Sequence, residues 1–506
     1  MENTNNDLKY IYTCTLVFFI LALFNILHHE MWRDELQAWS IALSANSFPE
    51  LFVNIRYEGH PSLWFIILYL VKHLTANPAA MQMVHLFIAT LSAFIFLRFA
   101  PFNKLLRGLF IFGYFPFFEY ATISRNYAVG ILFLFIFCAC YGEDLKNRNY
   151  LFLSAILFLM CQCNPLSAVL AIALAITVFL EPLLLKNFTV YKPVNFYVSI
   201  LIFAAGLIIS ITQMIPPADT NSFNPFVFDA VIPQRIANQI SRFWNVFVPI
   251  PRIQMDFWHT NFLSYLPVQK EIRYVLRLIF SLGLFMVPLF ILFRKTMPAF
   301  YYATAVAGLF VFGYIFHEGM LRHNAHYYFV FVSALWLHNY YPAENRSLSP
   351  FFSFFERNKN TYITVIFLVG VIAGAIANTL DCIYPFSGSK ETAYYIKQNN
   401  LQSMPVAGHH DFAVNAVAAY LGKPFYSAVT DKTGSFTVWN TRKFKQDDVL
   451  RNIEKYCSTV RSDILVVLNT PAKYYDIQQY RLIPLKEFTN NIVTDENFYL
   501  YIMRYE

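Results

Sequence analysis

Asp34 and Glu35 are adjacent carboxylates in Met31-Trp32-Arg33-Asp34-Glu35-Leu36, directly after the first hydrophobic segment of the chain. Neighbouring carboxylates at a membrane surface are costly to desolvate, so a pair confined in a loop marks a working site or caps an interfacial helix. A carboxylate in such a place takes a proton from an attacking hydroxyl. Three further stretches carry complementary groups: Arg56-Tyr57-Glu58-Gly59-His60 in the same polar loop, Arg125-Asn126-Tyr127 at the mouth of a hydrophobic segment, and His317 to Asn324 with Glu318, Arg322 and His323. Arginine suits the oxygen fork of a phosphate better than lysine does. Each group also has a plainer reading. Arg125 fits a snorkelling anchor at a helix end, His317 and His323 fit hydrogen-bonded structural roles, and His60 fits a residue that fixes its loop. Tyr57 and Trp64 fit interfacial belt aromatics.

Hydrophobic helices must position these residues. The chain has 506 residues, 57% of them hydrophobic, 19% aromatic and only 14% charged, against about 25% charged in soluble proteins. Apolar runs of the length needed to cross a bilayer recur along it, which predicts a polytopic α-helical membrane protein. The net charge of +7 fits basic cytoplasmic turns and does not indicate nucleic acid as a partner. Spans are expected near 10–27, 81–97, 108–121, 127–142, 150–163, 166–184, 194–214, 273–293, 299–316, 325–341 and 361–379. The stretch 61–74 is short for a span and reads as interfacial. With it outside, Arg98, Lys104, Arg107, Lys146, Arg148, Lys186, Lys192, Arg294, Lys295, Arg346, Arg357 and Lys359 share one face. That gives about eleven spans, the N-terminus cytoplasmic and the C-terminal region extracytoplasmic. The polar pieces 28–60, 124–127, 215–272 and 317–324 then meet on the outer face.

From about Leu380 charges become frequent, and strand-like runs at 405–408, 425–429, 464–468 and 499–503 alternate with helical ones at 413–421 and 447–457. This predicts a small α/β domain over 380–506, beside a membrane domain over 1–379 whose outer loop covers 28–80. Gly408-His409-His410-Asp411 follows a strand, where α/β folds place ligands, and is a weak metal candidate. Cys382 and Cys457 fall outside the membrane part, where a disulfide between them is one option. The five other cysteines sit in apolar segments, where cysteine is a small hydrophobe.

Trp32 to Trp39 around the Asp-Glu pair, Arg56 to Trp64 with His60-Pro61-Ser62-Leu63-Trp64, and Arg125 to Tyr127 together resemble the GT-C membrane glycosyltransferases. Nearest in look is the family-39 group of protein O-mannosyltransferases and lipid A aminoarabinose transferases. Ser62 stands where that group has a second proline. The resemblance covers residues 10 to 165 well and the tail weakly. It implies interfacial helices in the first outer loop and an inverting hexosyl or pentosyl transfer from a polyprenyl-phosphate sugar to a glycolipid, polysaccharide or protein acceptor of the envelope. It also implies residence in a bacterial cytoplasmic (inner) membrane. Asp34 is then the general base and Glu35 a substrate- or loop-positioning partner. Arg33, Arg56, Tyr57, Glu58, His60, Arg125, Tyr127, His317, Arg322 and His323 then serve donor phosphate and substrate. No Asp-x-Asp occurs in the second outer loop, so no cofactor is expected, although a divalent metal stays open. An O-antigen polymerase or ligase and a lipid-linked-sugar transporter are the alternatives. The transporter would need charges at mid-membrane depth, which the helix interiors nearly lack.

Overall fold

The computed structural model describes residues 2–142, 145, 147–191, 193–220, 232–342, 350–440, 448–471, 480 and 482–505. The chain begins with α1 (Glu2–His28), then three short helices α2 (Arg33–Ser44), α3 (Phe48–Ile55) and α4 (Leu63–Val71), then α5 (Ala79–Phe99) and α6 (Lys104–Ile111). After a π-helical turn at Tyr114–Glu119 come α7 (Tyr127–Cys140), α8 (Tyr150–Cys161), α9 (Pro165–Leu184) and α10 (Val194–Met214). The bundle is completed by α11 (Ile232–Phe247), α12 (Lys270–Leu292), α13 (Thr296–Ile315), α14 (Leu321–His338), α15 (Pro350–Arg357) and α16 (Lys359–Ile383). Among the described residues, α1, α5, α9, α10, α12, α13 and α16 are long and apolar enough to cross a membrane. The protein is a polytopic helical membrane protein.

The other expected spans correspond to shorter helices. The stretch 108–121 is not one helix: α6 stops at Ile111, and the chain restarts as a π-helical turn after an extended Gly113. Pro116 lacks the amide that would continue the ladder. Gly374 of α16 comes so close that a Cβ there would lie 3.1 Å from the Tyr114 nitrogen. α14 is buried on all sides from Ala325 to His338 and forms the centre of the bundle, as a helix apolar all round should. α4 has nine residues and is roughly 14 Å long at 1.5 Å per residue, too short to cross a bilayer. It packs with α2 and α3 around Trp39, Leu51, Trp64 and Leu68.

Beyond α16, which runs past Leu380 to Ile383, α17 (Ser389–Gln398), α18 (Asp411–Leu421) and α19 (Asp448–Val460) accompany a six-stranded mixed sheet. Its strands are β1 (Val406–His409), β2 (Phe425–Ser427), β3 (Lys432–Gly434), β4 (Ile464–Leu468), β5 (Leu482–Phe488) and β6 (Phe498–Met503), in the order β3-β2-β1-β4-β6-β5. β1 pairs in parallel with β2 and β4, and the remaining pairs are antiparallel. Alternation along β4 separates the two faces. Ile464, Val466 and Leu468 meet Val449 and Ile453 of α19, whereas Leu465 and Val467 meet α17 and α18 through Ala393, Val414 and Val417. β3, β5 and α17 add to the expected elements. All seven cysteines are free. Cys457 is buried in the α19 layer, so the Cys382–Cys457 disulfide does not form.

This α/β region sits directly on the loop after α1. Gln37 of α2 donates to Glu58 Oε1 (2.8 Å) and to the Thr437 carbonyl (2.7 Å), and accepts from Asn415 Nδ2 (2.6 Å) and the Thr437 amide (3.0 Å). The Met31 amide donates to the Tyr420 hydroxyl at 3.0 Å.

Candidate active site

The first turn of α2 aims two adjacent carboxylates in different directions. Glu35, at the third helical position, is fully buried. It accepts from the Trp32 amide at 3.2 Å, the Ser124 amide at 2.6 Å and His29 Nε2 at 3.0 Å. The other nitrogen of His29 meets Asp381 of α16 at 2.9 Å. Burial opposes a charge on His29, but Asp381 and Glu35 outweigh it and push its pKa up to about 10, so the ring is an imidazolium. Glu35 thereby ties the end of α1, the start of α2, the 124 turn and the end of α16 into one knot.

Asp34, one residue earlier, faces two guanidiniums. Arg322 Nη2 lies 2.8 Å and Arg125 Nη2 3.8 Å from Asp34 Oδ2, and Arg125 also donates to the Asp34 carbonyl. Burial raises the Asp34 pKa, yet Arg125, Arg322 and Arg33 together hold it below the usual carboxylate range. The Arg322 guanidinium lies over Trp32 (4.8 Å) and Trp258 (5.4 Å), whose indoles meet edge to face at 4.9 Å. Such stacking leaves the guanidinium edge for a planar anion. Arg322 Nε and Nη1, Arg125 Nε, Trp32 Nε1 and His60 Nδ1 are buried with no partner among the described residues. Buried donors are rarely left unpaired, and these five belong to the residues around one carboxylate.

His60 is pushed down to about 3 by burial and by Arg125, so it stands neutral beside Asp34. Glu58, tied to Gln37, is pushed up to about 7 by burial against the pull of Gln37 and Arg125. Tyr127 stacks on Tyr120 (5.9 Å) and meets His323 edge-on (5.4 Å). His323 accepts the Met320 amide at 2.8 Å and pairs with the exposed His317 at 5.1 Å. Burial and Arg322 keep His317 below its ordinary pKa.

The remaining expected residues lie elsewhere. Arg33 turns to the α/β region, 2.8 Å from Asp495 and 3.7 Å from Glu496, with its guanidinium over the rings of Trp32 and Phe412. Its own amide donates to Glu496 Oε1 at 3.0 Å. Arg56 is exposed and donates to the Tyr57 hydroxyl, which donates in turn to Asp219 at 2.9 Å. Sequence reasoning passed over His29, Trp258, His259, Asp381 and Glu496. The signal for two of them was the adjacent Trp258-His259 pair in the long 215–272 segment. His259 stacks on Trp258 at 3.9 Å, and burial and Arg322 lower its pKa against the influence of Asp34. Among the described residues no group of three or more His, Cys, Asp or Glu side chains is placed to hold a metal, at residues 408–411 or elsewhere.

No protein-family model and no curated protein sequence matches the chain. The crystal structure of ArnT from Cupriavidus metallidurans in the apo state superposes with a TM-score of 0.52 at 10% identity, over 99% of this chain and 98% of that one. The chain has the ArnT fold. The undecaprenyl-phosphate-bound structure of the same ArnT gives a TM-score of 0.46 at 10% identity, over 97% of each chain. The near-complete coverage of the apo ArnT includes both the bundle and the α/β region.

Proposed function

We propose that the protein is a glycosyltransferase that moves a sugar from a polyprenyl-phosphate-linked donor to an acceptor of the cell envelope, at the outer face of a bacterial cytoplasmic membrane. The observation that carries this reading is the Asp34 carboxylate held between Arg322 and Arg125, both of which keep buried, unpartnered donors. A carboxylate between two guanidiniums occupies the position a phosphate would take. Donor phosphate competes for Arg322 and Arg125, and release from them raises the basicity of Asp34. The acceptor hydroxyl then attacks the anomeric carbon as Asp34 takes its proton. The bond from that carbon to the phosphate oxygen breaks, and its electron pair leaves on the polyprenyl phosphate beside the two arginines. One displacement inverts the anomeric centre. The ArnT fold supports the reading at the level of architecture, and the guanidiniums supply the positive charge that other enzymes take from a cation. Tyr127, His323 and neutral His60 serve the substrates beside these arginines, while Glu35 acts as a positioning residue and Arg33 fastens the loop to the α/β region.

The test is transfer from a polyprenyl-phosphate sugar by purified protein. Asp34→Asn lowers turnover by about 10²–10⁴-fold with donor binding retained, whereas Arg322→Gln and Arg125→Ala weaken donor binding. Wild-type turnover by Asp34→Asn removes the base and, with it, this reading. Turnover is expected to persist in EDTA, and its loss there with recovery on adding magnesium or manganese assigns the charge to a metal instead.

A further inference from the structure

A polar cleft opens near the Asp34 site. It is a cleft of ≈ 270 Å³ between α11, α12 and the 317–324 turn. Asn238, Ser241, Asn245, Thr260 and Asn324 line it with amides and hydroxyls, and His259 forms its edge. His259 is the residue that stacks on Trp258 and shares the fields of Arg322 and Asp34, so the cleft abuts the reacting centre. Two arginines reach into it. Arg242 is neutralised by Glu318 at 2.8 Å and donates to the Gly319 carbonyl. Arg277 has no carboxylate partner among the described residues, and its Nε, like Asn245 Oδ1, is buried without a hydrogen bond. Arg277 also borders an adjoining cleft of ≈ 490 Å³ lined by Lys270 and Arg273 as well as by one carboxylate, Glu271. Residues 270, 273 and 277 follow i, i+3, i+7 spacing and so share one face of α12. The cationic stripe therefore runs from the helix end to the inner cleft.

We propose that these joined clefts seat the acceptor, a glycan head group bearing a phosphate or carboxylate. The anionic group rests on Arg277 after approach past Lys270 and Arg273, the ring hydroxyls bind Asn238, Asn245 and Asn324, and the attacking hydroxyl passes His259 to reach Asp34. A charged head group needs a cation that no protein carboxylate already neutralises, and a polyhydroxylated ring needs alternating donors and acceptors. The cleft supplies both, and His259 lines it. This assignment rests on the glycosyltransferase reading.

Binding to the detergent-solubilised full chain is measured by titration calorimetry with glucosamine 1-phosphate, inorganic phosphate and undecaprenyl phosphate as separate probes. Glucosamine 1-phosphate is expected to bind about tenfold more tightly than inorganic phosphate, and Arg277→Gln to weaken it about tenfold. Arg277→Lys is expected to restore most of the affinity, and joint Asn245→Ala and Asn324→Ala to erase the preference over inorganic phosphate. Undecaprenyl phosphate binding should be unmoved by Arg277→Gln. Equal affinity for the two soluble probes, sugar-phosphate binding indifferent to Arg277→Gln, or loss of undecaprenyl phosphate binding in that variant each overturns the assignment. Undecaprenyl phosphate binding that survives Arg322→Gln refutes the donor site instead, and leaves the Arg277 result to be read by itself.

Discussion

Asp34 and Glu35 are chain neighbours with opposite surroundings. Asp34 keeps a partly open edge toward two guanidiniums, whereas both oxygens of Glu35 are engaged, by His29, Trp32 and Ser124. The residue types marked both as candidates and the family resemblance divided their roles, but the knot around Glu35 was not legible, because Ser124 and the Asp381 that holds His29 arrive from distant parts of the chain. Glu35→Gln is expected to cut turnover about 10-fold or more by loosening the turn that aims Asp34, with a lowered melting temperature and nearly unchanged donor affinity. Loss of donor affinity alone would show that Glu35 touches the phosphate. His29 adds a pH signature. Its folded pKa of about 10 exceeds its ordinary 6.5, so the folded state holds the extra proton between those values. The stabilisation is complete below 6.5 and is lost as pH rises through 10. Thermal melting from pH 7 to 10 should therefore fall more steeply in wild type than in His29→Gln, by up to about 1.4 kcal/mol per pH unit. Parallel pH profiles would contradict a charged His29 between Asp381 and Glu35.

At the scale of elements, α2 is the hinge of the design. Its outer flank carries Gln37, whose amide makes four hydrogen bonds to Glu58, Thr437 and Asn415. Gln37→Leu should weaken docking of the α/β region by about 2–4 kcal/mol, since it strands several buried groups at once. Limited proteolysis reads this as faster cleavage beyond α16, and an unchanged rate would mean that the contact contributes little. Hydropathy located the long helices and the short 61–74 piece because apolar length is a strong signal. It missed the break at Gly113, since the approach of Gly374 that accompanies it belongs to a helix more than 250 residues later. β4 was legible as an uninterrupted apolar run. β3 and β5 were not: Lys432–Gly434 and Leu482–Phe488 are edge strands with exposed, mixed side chains, whose pairing comes from the neighbouring strand.

Across the whole molecule, the contacts of Arg33, Gln37 and Met31 with the α/β region place that region and the Asp34 site at the same end of the bundle. Their common side is expected to be extracytoplasmic. Ala76→Cys, in the exposed turn after α4, should react with an impermeant thiol reagent in intact cells, and Asn358→Cys, between α15 and α16, should not. The reverse pattern would turn the site to the cytoplasm. The meeting of the loops that carry Asp34, Arg125 and Arg322 was readable from charge placement. The second cleft along α12 was not, because Arg277 lies seven residues into an apolar helix and reads as a span residue. Glu496 grips the Arg33 backbone from 463 positions away, and Thr437 grips Gln37 from 400. A growing chain therefore makes the Asp34 loop among its first residues and the clasps that hold it hundreds of residues later, so the loop is expected to become fixed only once the α/β region has been made.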